Sequence, residues 1–178
     1  MQKNLLIMSE MPQYFVNLAD KDFNTHKLWL QNDEDKYISE VQEKVDAIAV
    51  MGGYKITPEL MKSMTNLKII ACYGVGYDAI DIDYAKSLGI KVTNTPEVLN
   101  DEVADTAIAL MLCVYKQIVD ADNFARNNSW VNGDFPLSKK FSGSKLGIVG
   151  MGRIGKAIAK RAEAFDCVIS YHSRNKKD

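Results

Sequence analysis

Three glycines, at 150, 152 and 155, are the residues whose spacing points most directly to chemistry. They form Gly150-Met151-Gly152-Arg153-Ile154-Gly155. Before them stands an apolar run that reads as a strand, Leu146–Val149, and after them a helix, about Ile154–Ala164. A second strand follows at about Cys167–Tyr171. A bare G-x-G-x-x-G says little, but between a strand and a helix it is the arrangement that binds dinucleotides. Gly150 permits the tight turn, Gly152 lets the backbone approach a pyrophosphate, and Gly155 lets the helix pack closely on the sheet. The helix N-terminus then presents unpaired N–H groups to the phosphate charge. The competing reading is a glycine turn in an α/β protein that holds no cofactor.

The end of the second strand bears on which dinucleotide binds. An NAD site usually places an acid there, about 20 residues on, to accept hydrogen bonds from the ribose 2′-hydroxyl. Here the place is held by Tyr171-His172-Ser173-Arg174, and the nearest acid, Asp166, lies at the wrong end of the strand. A hydroxyl at Ser173 and a guanidinium at Arg174 suit a 2′-phosphate better than a free hydroxyl, because Arg makes bidentate charge-assisted bonds to phosphate oxygens. Lys176 and Lys177 add positive charge nearby. NADP is expected over NAD. The alternative is a solvated loop start that reads the ribose weakly.

Composition narrows the class. With 178 residues, 47% hydrophobic and 25% charged, the chain fits one domain or one and part of another. A net charge of −1 argues against a nucleic-acid or anionic-membrane surface. The N-terminal apolar run, Leu5–Met8, is too short for a signal peptide, and the longest, Ala107–Tyr115, is too short for a membrane helix. Cys72, Cys113 and Cys167 lie in apolar segments without C-x-x-C spacing and read as reduced core thiols, which points to the cytoplasm. The two histidines, His26 and His172, have no ligand-spaced partners, so no metal is expected; His26 reads as an exposed or capping residue.

Elements must position these residues. Lys3–Met8, Ala47–Met51, Leu67–Cys72 and Ile90–Thr93 read as strands of a parallel sheet. Between them, Thr57-Pro58-Glu59 opens a helix and Ile82–Leu88 is a short helix closed by Gly89. After Asn94-Thr95-Pro96 a long helix is expected from the N-cap Asn100 to about Arg126. Its apolar residues nearly encircle it, which implies burial between layers or in an interface. A polar loop, Asn127–Ser144, leads to the nucleotide strand. The fold class is therefore α/β: a flavodoxin-like substrate lobe over 1–98, then the start of a Rossmann dinucleotide-binding domain over 99–178, incomplete because that fold needs two βαβαβ halves.

Three segments resemble one family: ACYGVGYDAIDID (71–83), VTNTPEVLNDEVADTAIALML (92–112) and KLGIVGMGRIGKAIAKRAEAF (145–165). The chain resembles, from about Asp46 onward, the N-terminal portion of the D-isomer-specific 2-hydroxyacid dehydrogenases, in their hydroxyphenylpyruvate, hydroxypyruvate and glyoxylate reductase branch. The resemblance implies that backbone amides of Val75 and Gly76 hold a substrate carboxylate. Gly52 and Gly53 match a second loop of the substrate site. Arg153 and Ile154 match residues whose amides contact the pyrophosphate. Asp105, where the family more often has Glu, is read as structural rather than catalytic. The family's catalytic Arg, Glu and His would all lie beyond Asp178, as would a segment that returns to the first lobe.

The resemblance thus implies hydride transfer between NAD(P)H and a small 2-oxo acid, giving the D-2-hydroxy acid, by an enzyme that is a homodimer when full length. This chain would be its front part and inactive alone. From another class comes the alternative of a non-catalytic nucleotide-binding or interaction protein derived from the family. Smaller departures from the family are Asn128, where Gly commonly stands two residues before its Trp, and Ser144 before the nucleotide strand.

Overall fold

Short apolar runs of five residues or fewer are too brief for helices and build the sheet of the first unit. A computed structural model describes residues 2–177. Its strands there are β1 (Lys3–Ile7), β2 (Phe23–Lys27), β3 (Ala47–Met51), β4 (Ile69–Tyr73) and β5 (Lys91–Thr93). They pair in the order β2-β1-β3-β4-β5, all parallel. Central strands of such a sheet are apolar on both faces because helices cover both. Leu6, Ile48, Val50 and Ile70 pack on one side with Val41 of α2 (Glu34–Val41), Met61 of α3 (Pro58–Ser63) and Ala85 of α4 (Ile82–Ser87). Leu5, Ile7 and Ala49 pack on the other with Val16 and Ala19 of α1 (Gln13–Asp22). The order is that of a doubly wound sheet, whose winding reverses between β1 and β3.

The local signals worked where chemistry was strong. Thr57 accepts from the Leu60 amide and Pro58 is the first helical residue of α3. Gly89 closes α4 at φ +72°. Residues 13–41, to which the sequence assigns no element above, form α1, β2 and α2. β2 is an edge strand reading Phe-Asn-Thr-His-Lys, and edge strands need no apolar alternation.

His26 departs from its expected place as an exposed or capping residue. It sits half-buried on β2, with Nδ1 3.1 Å from the Tyr37 hydroxyl and Nε2 3.2 Å from Asn4 Oδ1. Burial, then the Lys44 charge, pushes its pKa below the ordinary 6.5. The folded state therefore favours neutral imidazole and the unfolded chain takes up the proton first. This contribution to stability is complete above pH 6.5 and falls as the pH drops through the lowered value. Urea unfolding followed between pH 7.5 and 5 is expected to show this loss, and His26→Asn should flatten it.

The second unit, parted from the first between Pro96 and Glu97, holds a two-stranded parallel sheet. Its elements are α5 (Asn100–Lys116), α6 (Ile118–Arg126), β6 (Lys145–Val149), α7 (Arg153–Glu163) and β7 (Val168–His172). Two strands alone are marginal in water. Here α5 and α7 cover them: Ile108, Met111, Leu112 and Tyr115 meet Ile158, Ala162, Leu146 and Ile169. Phe141, inside the loop Asn127–Ser144, is 2% exposed. Its ring lies edge-on between Tyr115 and Phe165 at 5.2 and 5.1 Å, so one aromatic pins that loop to the core.

Two expectations for the long helix are corrected. It does not run unbroken to Arg126, because Gln117 adopts φ +52° and ends α5 by donating to the Cys113 and Val114 carbonyls. No Gly, Asn or Pro marks the break, which is why the sequence concealed it. Asn100 is the first helical residue rather than the cap, which is Leu99 with no side-chain cap bond. Within the chain only Ala104 and Ile108 of α5 are buried, while Leu110 is 61% and Val114 75% exposed, so the helix is not enclosed between layers of its own unit. Among the described residues no helix is long and apolar enough to cross a membrane.

Candidate functional site

The turn between β6 and α7 is built by its glycines. Gly150 has φ +98°, a conformation that L side chains rarely adopt, and its amide donates to the His172 carbonyl at 2.8 Å, tying the turn to the end of β7. A Cβ on Gly155 would lie 2.2 Å from the Gly150 carbonyl oxygen, so only glycine lets α7 start so close to the strand. Gly152 caps α7, and a Cβ there would meet nothing within 4 Å. The protein itself therefore has no steric need for glycine at 152. The open space beside it is a cavity of about 600 Å³ lined by Val149, Gly150, Gly152, Ser173, Arg174 and Lys177, among others.

The residues around this cavity fit the adenosine half of a dinucleotide in chemistry. Its lining joins the glycine turn to the cationic side chains of Arg174 and Lys177. The first helical turn, with Arg153 and Ile154, stands next to Gly152. Arg153 Nε also pairs with Glu97 at 3.1 Å, both exposed. Ser173 donates to the Asn175 carbonyl, and the Tyr171 hydroxyl donates to the Lys177 carbonyl at 2.8 Å while accepting from the Lys177 amide at 2.9 Å. These bonds fold residues 173–177 against the cavity mouth. Gly150, Gly152, Ser173 and Arg174 thus come together; Arg153 and Ile154 flank them, and Gly155 is structural support.

Separate effects are expected from the two glycines. Gly155→Ala should lower stability by about 2–3 kcal/mol or more through overpacking. Gly152→Ala should cost at most about 1 kcal/mol, as a poorer helix cap, while weakening nucleotide binding. Thermal unfolding and calorimetric titration with adenosine 2′,5′-bisphosphate check both.

In the first unit, the residues after β3 and β4 approach each other. The Gly52 amide donates to the Tyr73 carbonyl at 3.1 Å. A Cβ on Gly74 would sit 2.9 Å from Gly52 Cα, so two backbones meet there without side chains between them. The next loop is held by its carbonyls: Thr95 N–H donates to Gly74 at 3.0 Å, Asn94 Nδ2 to Val75 at 2.9 Å, and the Cys72 thiol to Gly76 at 3.5 Å. Burial raises the pKa of that thiol, so it stays a protonated donor. Gly53 has φ +88° and open space around it.

Sequence reasoning missed the aromatic neighbours of this loop. The Tyr14 and Tyr73 hydroxyls lie 2.6 Å apart, a bond that raises the Tyr14 pKa. Phe15 packs at 6.4 Å against the Tyr73 ring. Phe15 and Tyr73, with Met11, Ala49 and Ala71, border a small cavity of about 180 Å³ on the α1 side of the sheet. Tyr14 and Phe15 belong to α1, an element not among those read from the sequence.

Asp105 ion-pairs with Arg161, which also reaches Asp101 at 3.0 Å, so these acids join α5 to α7. The three cysteines are free, Cys72 and Cys167 buried and Cys113 partly so. Among the described residues no three His, Cys, Asp or Glu side chains group as metal ligands.

A doubly wound parallel sheet followed by a glycine-turn βαβ unit is the layout of a nucleotide-dependent α/β protein. Comparison with known proteins makes this specific: residues 5–175 match the catalytic domain of D-isomer specific 2-hydroxyacid dehydrogenases, and the chain belongs to that family. A hydroxyphenylpyruvate reductase of Plectranthus scutellarioides is 41% identical over 97% of this chain and 55% of its own length. The structure of a 2-hydroxyacid dehydrogenase from Ketogulonicigenium vulgare Y25 superposes with a TM-score of 0.93 at 36% identity, over 99% of this chain and 56% of that one. An NADPH-dependent glyoxylate/hydroxypyruvate reductase from Sinorhizobium meliloti, solved with NADP and malonate, gives 0.82 at 36% identity, over 100% of this chain and 55% of its own. The chain spans about half the length of the curated relatives it matches.

Proposed function

We propose that this chain carries the substrate lobe and the adenosine-binding half of an NADP-preferring reductase of small 2-oxo acids. The observation that carries the reading is the cavity joining Gly150 and Gly152 to Ser173 and Arg174. A glycine turn faces the pyrophosphate there, and a guanidinium stands where an NAD site has an acid. The S. meliloti relative, solved with NADP, supports the choice of cofactor; NAD is the alternative. Bound, the cofactor supplies the hydride for the 2-carbon.

The chain's own residues bind and orient. The amides of Arg153 and Ile154 complete the pyrophosphate site, while Ser173 and Arg174 hold the 2′-phosphate. The amides of Val75 and Gly76 hold the substrate carboxylate, with Gly52 giving the loop its close backing. None of the described residues is assigned proton delivery. The exposed apolar stripe of α5 supports a homodimer of the whole enzyme, since contiguous patches of that kind mark interfaces. Three free thiols fit a reducing, cytoplasmic setting.

Adenosine 2′,5′-bisphosphate tests the reading, because it carries only the groups this cavity is assigned. It should bind the chain at least tenfold more tightly than 5′-AMP by calorimetry. Equal affinities would reject the NADP assignment.

A further inference from the structure

We infer that Asn94 is a positioning residue for the substrate-carboxylate loop, fixing the direction in which the Gly76 amide points. The inference rests on the reading of Val75 and Gly76 as carboxylate donors and adds the device that aims them. A trans peptide is planar, so the C=O of one residue and the N–H of the next point in opposite directions. Asn94 Nδ2 holds the Val75 carbonyl at 2.9 Å, which turns the Gly76 N–H directly away from Asn94. Thr95 N–H holds the Gly74 carbonyl at 3.0 Å and so turns the Val75 N–H the same way. The Cys72 thiol on the Gly76 carbonyl, at 3.5 Å, does this for Tyr77. Three successive peptide planes are clamped by their oxygens, which leaves their amides out of these bonds and open to an anion.

The clamps differ in kind. Thr95 acts through its backbone, so any residue but proline can supply it. The Cys72 contact is long, and sulfur is a weak donor. Asn94 supplies a side-chain amide from just beyond β5, on a half-buried residue. It is the one strong clamp that depends on a residue type. A glycine-flanked segment, Gly74-Val75-Gly76, has little intrinsic preference for one peptide orientation, so without Asn94 the Val75–Gly76 peptide is free to flip. A flipped peptide would aim a carbonyl oxygen at the carboxylate.

Asn94→Leu is nearly isosteric, removes the donor and adds no charge; Asn94→Ala serves if the leucine variant does not fold. The ¹⁵N-labelled 178-residue chain is titrated with oxamate, an unreactive 2-oxo carboxylate, with adenosine 2′,5′-bisphosphate binding as the control for an intact second unit. The parent's Val75 and Gly76 amide signals should shift, and the variant should need at least tenfold more oxamate for the same Gly76 shift, with the signals of β1 and β3 unmoved. If the parent shifts and both variants match it, Asn94 does not aim the loop and the inference fails while the carboxylate reading stands. If the parent's Val75 and Gly76 amides do not respond at all, the carboxylate reading fails and takes the inference with it.

Discussion

Arg174→Asp is expected to weaken adenosine 2′,5′-bisphosphate binding by roughly 30- to 700-fold, about 2–4 kcal/mol at 1.4 kcal/mol per factor of ten. Arg174 lines the same cavity as Gly150 and Gly152, with Ser173 and Lys177. Replacing it removes a charge-assisted partner of the 2′-phosphate and adds a like charge, and the two losses act together. Lys177 stays, fastened by its backbone to the Tyr171 hydroxyl, so binding should weaken rather than vanish. Binding of 5′-AMP should change less than threefold or improve, because an acid at this place can accept from a ribose hydroxyl. Calorimetric titration of both nucleotides into both proteins reads the result. An equal loss for the two would mean that Arg174 supports the fold of residues 173–177 and does not read the phosphate.

The nucleotide turn was legible because its chemistry is local. Gly150, Gly152 and Gly155 each answer to a backbone constraint that spacing alone displays, and the structure shows that two of them, 150 and 155, are demanded by the protein itself. Likewise Thr57-Pro58 and Gly89 mark helix ends through contacts within four residues. What stayed hidden depends on residues far apart in sequence. Asn94 reaches a carbonyl 19 positions away, and Tyr14 meets Tyr73 across 59. Phe141 looked like loop because its aromatic partners, Tyr115 and Phe165, come from two other segments. The αL break at Gln117 has no residue-type signal, and the half-buried place of His26 follows from α2 folding over an edge strand.

The largest effect expected is complete: the purified 178-residue chain should oxidise no NADPH with glyoxylate, hydroxypyruvate or hydroxyphenylpyruvate. Reduction of a carbonyl needs an acid within hydrogen-bond reach of its oxygen. His26 is held on β2 by Tyr37 and Asn4, and burial keeps it neutral below the usual range, which makes it a poor proton donor. His172 closes β7, where its carbonyl accepts from Gly150, and it borders the cavity assigned to the adenosine ribose. Asp105 is bound by Arg161 and carries a structural load between α5 and α7. None of these groups lies on the Gly74–Gly76 loop. Absorbance at the NADPH maximum, followed for hours at high protein concentration, checks the expectation against a no-protein blank. Sustained oxidation that requires the 2-oxo acid would overturn it. Tyr73 would then be the first side chain to replace, because its hydroxyl precedes the loop directly and already exchanges a hydrogen bond with Tyr14.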